Sequence, residues 1–334
     1  MMITSKTLTT PFTQLTYLIP AGSSDVHSEK DVTALHVLEH WLLEGGKRFV
    51  GSDAVFKEAR RIGGNISAAV SRKSFELKLT YYAPLHEDAV ALMNDLILHA
   101  RFDAADFSRQ LEDVRYEIKN DNAITLLFDA LYRDVFNGRY ALSGGGDQLS
   151  TYQLTESDVT PFIKTFLQAP GTWFYAGPDQ FKPLIDEVSA NNSKQMLISP
   201  TLNFSSKKAR YFEQGSIGLV YLGDDFPEDA CFEIEAYLDW IYGYQIKVHR
   251  HVLPGFIMVA VSYDVPQLAH QEILSSAHEF VQLSEDAKRP FRVLAAASLT
   301  DDYSFASGAA RLEGERWMNA EFDEIVKKSL SSTI

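Results

Sequence analysis

His36 and His40 stand four residues apart in the run His36-Val37-Leu38-Glu39-His40. On a helix, positions i and i+4 project from one face, so two imidazoles at this spacing can reach a single metal ion. Glu39 beside them is placed to move a proton at a water activated by that metal. The same pentapeptide also fits two histidines on the wet face of an ordinary helix, and alone it does not choose between these readings.

A divalent ion held by two imidazoles needs a third protein ligand, and Glu117 is a physically unusual candidate. Phe107, Leu111, Val114 and Ile118 recur at helical spacing, and Gln110 and Glu117 fall on the side of that apolar face. A carboxylate facing a core is costly unless it is paired, hydrogen-bonded or bound to metal. A glutamate at the margin of the stripe, with its head in water, satisfies the pattern equally well.

These side chains depend on a regular alternation of elements. Leu15–Ile19 reads as a strand ended by the turn Pro20-Ala21-Gly22-Ser23-Ser24, and a helix over Asp31–Leu43 stops at Gly45-Gly46. Ser52 is the expected cap of a second helix running to Ile62, before Gly63-Gly64. Ile66–Val70 and Phe75–Tyr82 read as strands, the second alternating Phe75, Leu77, Leu79 and Tyr81 on one face. Helices are predicted over Glu87–Ala100, Ala104–Asn120, Ile124–Phe136 and Glu156–Leu167, with a glycine-rich loop at Gly144–Gly146 and a strand near Thr172–Ala176.

The Ser-, Asn- and Lys-rich stretch Asn191–Lys208 places a boundary near residue 195, giving units of residues 1–195 and 196–334. The second reads as strand (Ser216–Leu222), helix (Glu228–Tyr242), strand (Phe256–Tyr263), helix (Gln267–Leu283) and a mixed tail. It repeats the element order of the first in shortened form, without a repeat of sequence.

Motif, spacing and helix face together resemble the pitrilysin family of insulin-degrading enzymes and mitochondrial processing peptidases. H-x-x-E-H is the inverted-zincin motif, and in that family 76 residues separate it from a ligand glutamate; here 76 residues separate His40 from Glu117. The likeness extends over residues 12–185, through the Pro20–Ser23 turn, Ile62-Gly63-Gly64 with Ser67-Ala68, and Asn137-Gly138-Arg139-Tyr140 onward to Leu154-Thr155. It implies an α+β protein built of two-layer α/β units of the LuxS/mitochondrial-processing-peptidase-like metallohydrolase type, two in tandem with the second abbreviated and non-catalytic. It implies one zinc per chain on His36, His40 and Glu117, with Glu39 as general base and a peptide as substrate.

Zinc with two imidazoles and a carboxylate leaves a position for water, whose proton Glu39 would take and pass to the leaving amine. An unfolded peptide would add as a strand at the edge formed by Ser67, Ala68, Ala69 and Val70, and proline at Ala69 is the expected way to block it. Gln110 occupies a position where relatives carry a glutamate behind the metal ligands, so it is expected to influence the metal site.

The second unit departs further from the family. Relatives grip the substrate carbonyl there with an arginine and a tyrosine; aligning on Gly255 puts His251 and Met258 near those places, with Arg250 one residue off. His249, Arg250 and His251 read as a solvated basic edge rather than a second metal or anion site. A short second unit points to a homo- or heterodimer with another family member, and to processing of leader or precursor peptides. The competing reading is a zinc-binding but inactive scaffold subunit; the intact His36, Glu39, His40 and Glu117 favour the enzyme.

Composition narrows the classes. The 334 residues are 46% hydrophobic and 23% charged, the balance of a globular protein of two domains. A formal charge of −14 argues against nucleic acid, which selects basic surfaces. Cys231 is the single cysteine, in an apolar-acidic helix that reads as packing, so intramolecular disulfides and cysteine metal sites are excluded. No apolar run suits a signal peptide or a membrane span, and the expected location is the cytoplasm. A G-x-S-x-G nucleophile motif is missing.

Overall fold

A computed structural model describes residues 3–7, 11–180, 202–223, 226–227, 230–253, 256–264, 268–304 and 324–327, with backbone alone for 3–7 and 300–304. The chain groups into two compact units: Met1–Asn120 with Leu142–Pro200 and Ser304–Gly314, and Asp121–Ala141 with Thr201–Tyr303 and Glu315–Ile334. This differs from a single cut near residue 195, a position outside the described residues. Segment Asp121–Ala141 joins the second unit because Leu127, Leu131, Tyr132, Val135 and Phe136 share its core.

The first unit is a five-stranded sheet with helices. Its strands are β1 (Ile3–Thr7), β2 (Phe12–Ile19), β3 (Asn65–Val70), β4 (Phe75–Tyr82) and β5 (Thr172–Gly177), in the order β1-β5-β2-β4-β3. Only β1 and β5 run parallel; β2 is antiparallel to both β5 and β4, and β3 pairs with β4 alone. On β4 the alternation works as predicted, with Phe75, Leu77, Leu79 and Tyr81 fully buried.

Its helices are α1 (Glu29–Leu42), α2 (Ser52–Arg61), α3 (His86–Leu98), α4 (Ala104–Lys119), and, beyond the segment given to the second unit, α6 (Gln148–Gln153) and α7 (Glu156–Leu167). Helix α1 starts where the Ser28 hydroxyl accepts the Asp31 N–H. Gly51, at φ 87°, holds the cap position of α2, and Ser52, the expected cap, is the first helical residue. Gly22 in the turn before α1 tolerates no side chain, because a Cβ would lie 2.1 Å from the Ser71 carbonyl oxygen. That close approach lets Ser23 and Ser24 donate N–H bonds to Ser71 and Arg72 in the β3–β4 turn.

The second unit has a purely antiparallel sheet of β6 (Arg210–Gln214), β7 (Ile217–Tyr221), β8 (Ile246–Leu253) and β9 (Phe256–Asp264), ordered β6-β7-β9-β8. Its helices are α5 (Ala123–Val135), α8 (Cys231–Tyr242), α9 (His270–Gln282) and α10 (Glu285–Ser304). Leu127, Leu131 and Val135 of α5 cluster with Leu219, Tyr221, Met258 and Ala260 of the sheet. The unit is therefore richer than strand, helix, strand, helix and a tail: β6, β8 and α10 escape the pattern, β6 because Arg210-Tyr211-Phe212-Glu213-Gln214 is half exposed and lacks an apolar alternation.

Candidate metal centre

Helix α1 buries Val32, Leu35, Leu38, Trp41 and Leu42 and leaves His36, Glu39 and His40 only partly covered, so one amphipathic stripe decides which face carries the chemistry. Trp41 packs its ring at 5.2 Å from Phe107, fastening α1 to α4. On α4 the buried Phe107, Leu111 and Val114 fix the rotation that delivers Glu117.

His36, His40 and Glu117 form a cluster whose ligand atoms all lie within 4.8 Å of one another. Glu117 Oε2 sits 3.2 Å from His36 Nε2 and 3.4 Å from His40 Nε2. Donor atoms bonded to zinc at about 2.0–2.2 Å in a tetrahedral array are roughly 3.3–3.6 Å apart, so both the spacing and the nitrogen and oxygen donor set fit that ion. His36 Nδ1 lies 2.9 Å from the Gly145 carbonyl oxygen, which can only accept and so keeps a proton on Nδ1, leaving the Nε2 lone pair for a metal ion standing between Nε2 and Glu117. Glu117 is exposed rather than buried in the core, so the cost that singled it out in the sequence is relieved at the margin of the stripe.

Glu39 is not a member of that cluster. Its Oε2 accepts the Val70 N–H at 3.0 Å. Burial pushes its carboxyl above the ordinary range; His36 and the Val70 N–H pull it back in part, and Glu117 adds to the rise.

The Val70 bond also fixes the parity of the edge strand. Val70 turns its N–H away from β4, whereas Ser71 turns its own inward to Ser74 O at 2.7 Å. Backbone groups alternate along a strand, so Ile66, Ala68 and Val70 face the edge, and Ser67 and Ala69 spend theirs on β4. Proline at Ala69 would therefore break the sheet; Ala68 is the position that tests the edge.

Gln110, expected to influence the metal site, makes its bond to a different carboxylate. Its Nε2 donates to Glu44 Oε1 at 2.7 Å, and Arg109 pairs with the same carboxylate at 2.7 Å. Glu44 is buried, just past the end of α1, so this contact joins α4 to α1 two turns away from Glu117. No feature of the single sequence pairs Glu44 with Gln110, because the contact spans 66 residues.

The second unit holds no such cluster among its described residues. The basic run on β8 does lie on an edge strand, but it is half-buried rather than fully solvated, and its side chains are engaged. His251 stacks on Phe128 at 4.6 Å and meets the Tyr132 hydroxyl at 2.8 Å, while His249 lies edge-on to Phe128 and bonds Ser262 Oγ at 2.8 Å. Arg250 points the other way, over the Phe232 ring and paired with Glu235 on α8. Met258 is fully buried opposite His251, and Gly255, used to align them, is outside the described residues.

The family model described as insulinase, peptidase family M16, matches residues 1–144, a stretch that contains the whole cluster. The matched segment, a little under half of the chain, is similar to that family. This supports a peptidase, and it agrees with the resemblance read from H-x-x-E-H and its spacing. A protease from Helicobacter pylori shares the fold at 13% identity and a TM-score of 0.77, over 98% of this chain and 90% of that one. A putative M16-like peptidase from Alicyclobacillus acidocaldarius does so at 15% identity and 0.70, over 97% and 88%. The periplasmic protease PqqL from Escherichia coli matches at 12% identity and 0.66, over 96% of this chain but 40% of its own length. No significantly similar sequence is found among curated proteins. Among the described residues, no helix is long and apolar enough to cross a membrane.

Proposed function

We propose that this chain is a zinc metalloendopeptidase acting on unfolded peptides or peptide precursors. The observation that carries the reading is the convergence of His36 Nε2, His40 Nε2 and a Glu117 carboxylate oxygen beside Glu39. Zinc bound there supplies Lewis-acid polarisation of the scissile carbonyl and of an attacking water. Glu39 does the proton work: Oε2 is held by Val70, Oε1 takes a proton from the attacking water, and the carboxyl returns it to the departing amine.

The substrate adds as a strand at β3, using the edge-facing groups of Ile66 and Ala68, and the last such residue, Val70, leads to Glu39. Main-chain pairing accepts many side chains, which suits an unfolded peptide. A homo- or heterodimeric partner completes the substrate grip, and a reducing cytoplasm suits a chain whose only cysteine is buried.

A second reading, a zinc-binding subunit without turnover of its own, is favoured by one observation: Arg250, nearest to the family's arginine, is already committed to Glu235. Elemental analysis of the purified chain beside Glu117→Ala, with a quenched-peptide assay, separates these readings. One zinc per chain, lost in the variant together with hydrolysis, is the expected result. Zinc without hydrolysis in every preparation would select the inactive subunit, and protein that takes up no added zinc would overturn both.

A further inference from the structure

The metal-facing stripe of α1 continues away from the cluster as a second row, Glu29, Thr33 and His36, spaced four and three residues apart and so on one face. All three meet the same loop. Ser143 donates its N–H to Glu29 Oε1 at 3.0 Å and its hydroxyl to Oε2 at 2.5 Å. Asp147 donates its N–H to Thr33 Oγ1 at 3.3 Å, and the Gly145 carbonyl accepts from His36 Nδ1 at 2.9 Å.

The loop has little room to be otherwise. Gly146 sits at φ +91°, and a Cβ there would come 2.1 Å from Thr33 Oγ1. On its far side the loop enters α6, where Asp147 Oδ1 accepts the Ser150 N–H at 2.7 Å. Arg115 on α4, two residues before Glu117, then donates to the Thr151 carbonyl at 2.9 Å and to its hydroxyl at 3.2 Å. One short segment thus touches the helix of His36 and His40 and the helix of Glu117.

We infer that Glu29 is a positioning residue for the metal centre, acting through the loop Ser143–Asp147, whose Gly145 carbonyl fixes the tautomer and ring orientation of His36. The inference rests on the metal reading above, but its physical content is narrower. A carbonyl oxygen cannot donate, so a loop held in place favours the Nδ1–H form and turns Nε2 toward Glu117, whose carboxylate competes for the proton until a metal ion stands between the two. Released, the ring would populate both tautomers and swing, and each productive binding event would first have to recover the lost orientation. Glu29 itself touches neither metal nor substrate.

The test compares wild type, Glu29→Ala and Glu29→Gln as full-length chains. Three quantities are measured: the His36 tautomer by two-bond proton–nitrogen correlation at mildly alkaline pH, in metal-free protein that also carries Glu117→Ala so that Nε2 faces no carboxylate, and, without that change, zinc affinity by chelator competition and Tm. Asn122→Ala, which removes the Asn122 bond to Thr125 at the start of α5, serves as a variant destabilised elsewhere. With Glu29 intact, the metal-free Glu117→Ala chain should show the Nδ1–H form. Glu29→Ala should show a mixture and bind zinc about 10- to 100-fold more weakly. Glu29→Gln, which still accepts from Ser143, should recover most of both.

Should Glu29→Ala fail to fold, Ser143→Ala removes the hydroxyl bond alone and is read the same way. An unchanged His36 signal and unchanged zinc affinity, with a Tm loss like that of Asn122→Ala, would overturn the inference. Were wild type to bind no zinc, the peptidase reading would fall, while the tautomer measurement would still decide whether Glu29 orients His36.

Discussion

His36 and His40 in the first unit, and His249 and His251 in the second, are pairs that share one face of their element, the first by the helical step of four and the second by the strand step of two. Around the first pair, α4 brings a carboxylate to 3.2 and 3.4 Å and the rings stay partly open. Around the second, α5 brings Phe128 and Tyr132, and the rings, just as half-buried, are spent on aromatic contacts and hydroxyl bonds instead. Histidine spacing alone therefore makes no site; what decides is whether the element that packs across it presents an acid or an aromatic ring.

The comparison breaks most sharply at Glu39. Glu39→Gln keeps the shape and the acceptor for the Val70 N–H but cannot carry a proton, so peptide hydrolysis should fall by about 10²- to 10⁴-fold with zinc content unchanged. The double variant His249→Gln, His251→Gln should leave hydrolysis and zinc content within twofold. Undiminished turnover in Glu39→Gln would remove it from the base role, and zinc loss in the double variant would erase the distinction between the two pairs.

Acid should expose the difference next. Burial, helped by Lys247, lowers His249 to about 4, and burial alone does the same to His86 in the first unit. A folded-state value below the unfolded 6.5 means that the unfolded chain takes up the proton first. Stability is therefore full above about pH 6.5 and falls as pH drops toward 4, by about 3 kcal/mol per histidine over that window. Denaturant unfolding followed from pH 7 to 4 should lose one proton's worth of slope in His249→Gln; an unchanged slope would mean that His249 is charged when folded.

The edge of β3 gives a smaller and more local contrast. Ala68→Pro removes an edge-facing N–H and should weaken peptide binding about tenfold, read as KM, with zinc content kept and Tm lowered only by the crowding at this buried position. Ala69→Pro removes a bond to β4 and should lower Tm first. If both variants behave alike, the parity set by the Val70 bond is not what the substrate reads.

The sequence carried the first unit far better than the second. Phe75–Tyr82 and Glu156–Leu167 appear with the bounds that periodicity predicts, because a clean alternation and a Thr155 capping box leave little choice. His36, His40 and Glu117 were legible because a four-residue step and an amphipathic helix are local patterns, and the family spacing joined them. The bonds from Glu44 to Gln110 and from Glu29 to Ser143 were not, since they link residues 66 and 114 apart that share no periodic signal. The contacts of the basic run on β8 were hidden for the same reason: what covers it is α5, more than a hundred residues earlier, and a strand's own alternation cannot report what packs above it.

Tyr132→Phe is the smallest test of that last point. The hydroxyl lies 2.8 Å from His251 Nδ1, and Tyr132 is 1% exposed, so water cannot readily replace the bond. Removing one partner of a buried neutral hydrogen bond costs about 1 kcal/mol, while ring packing against Phe136 at 5.3 Å is kept. Denaturant melts should show that loss with zinc content and peptide hydrolysis intact. A change in hydrolysis larger than the change in stability would mean that the second histidine pair, packed as it is, still serves the reaction, and the line drawn between the two pairs would have to move.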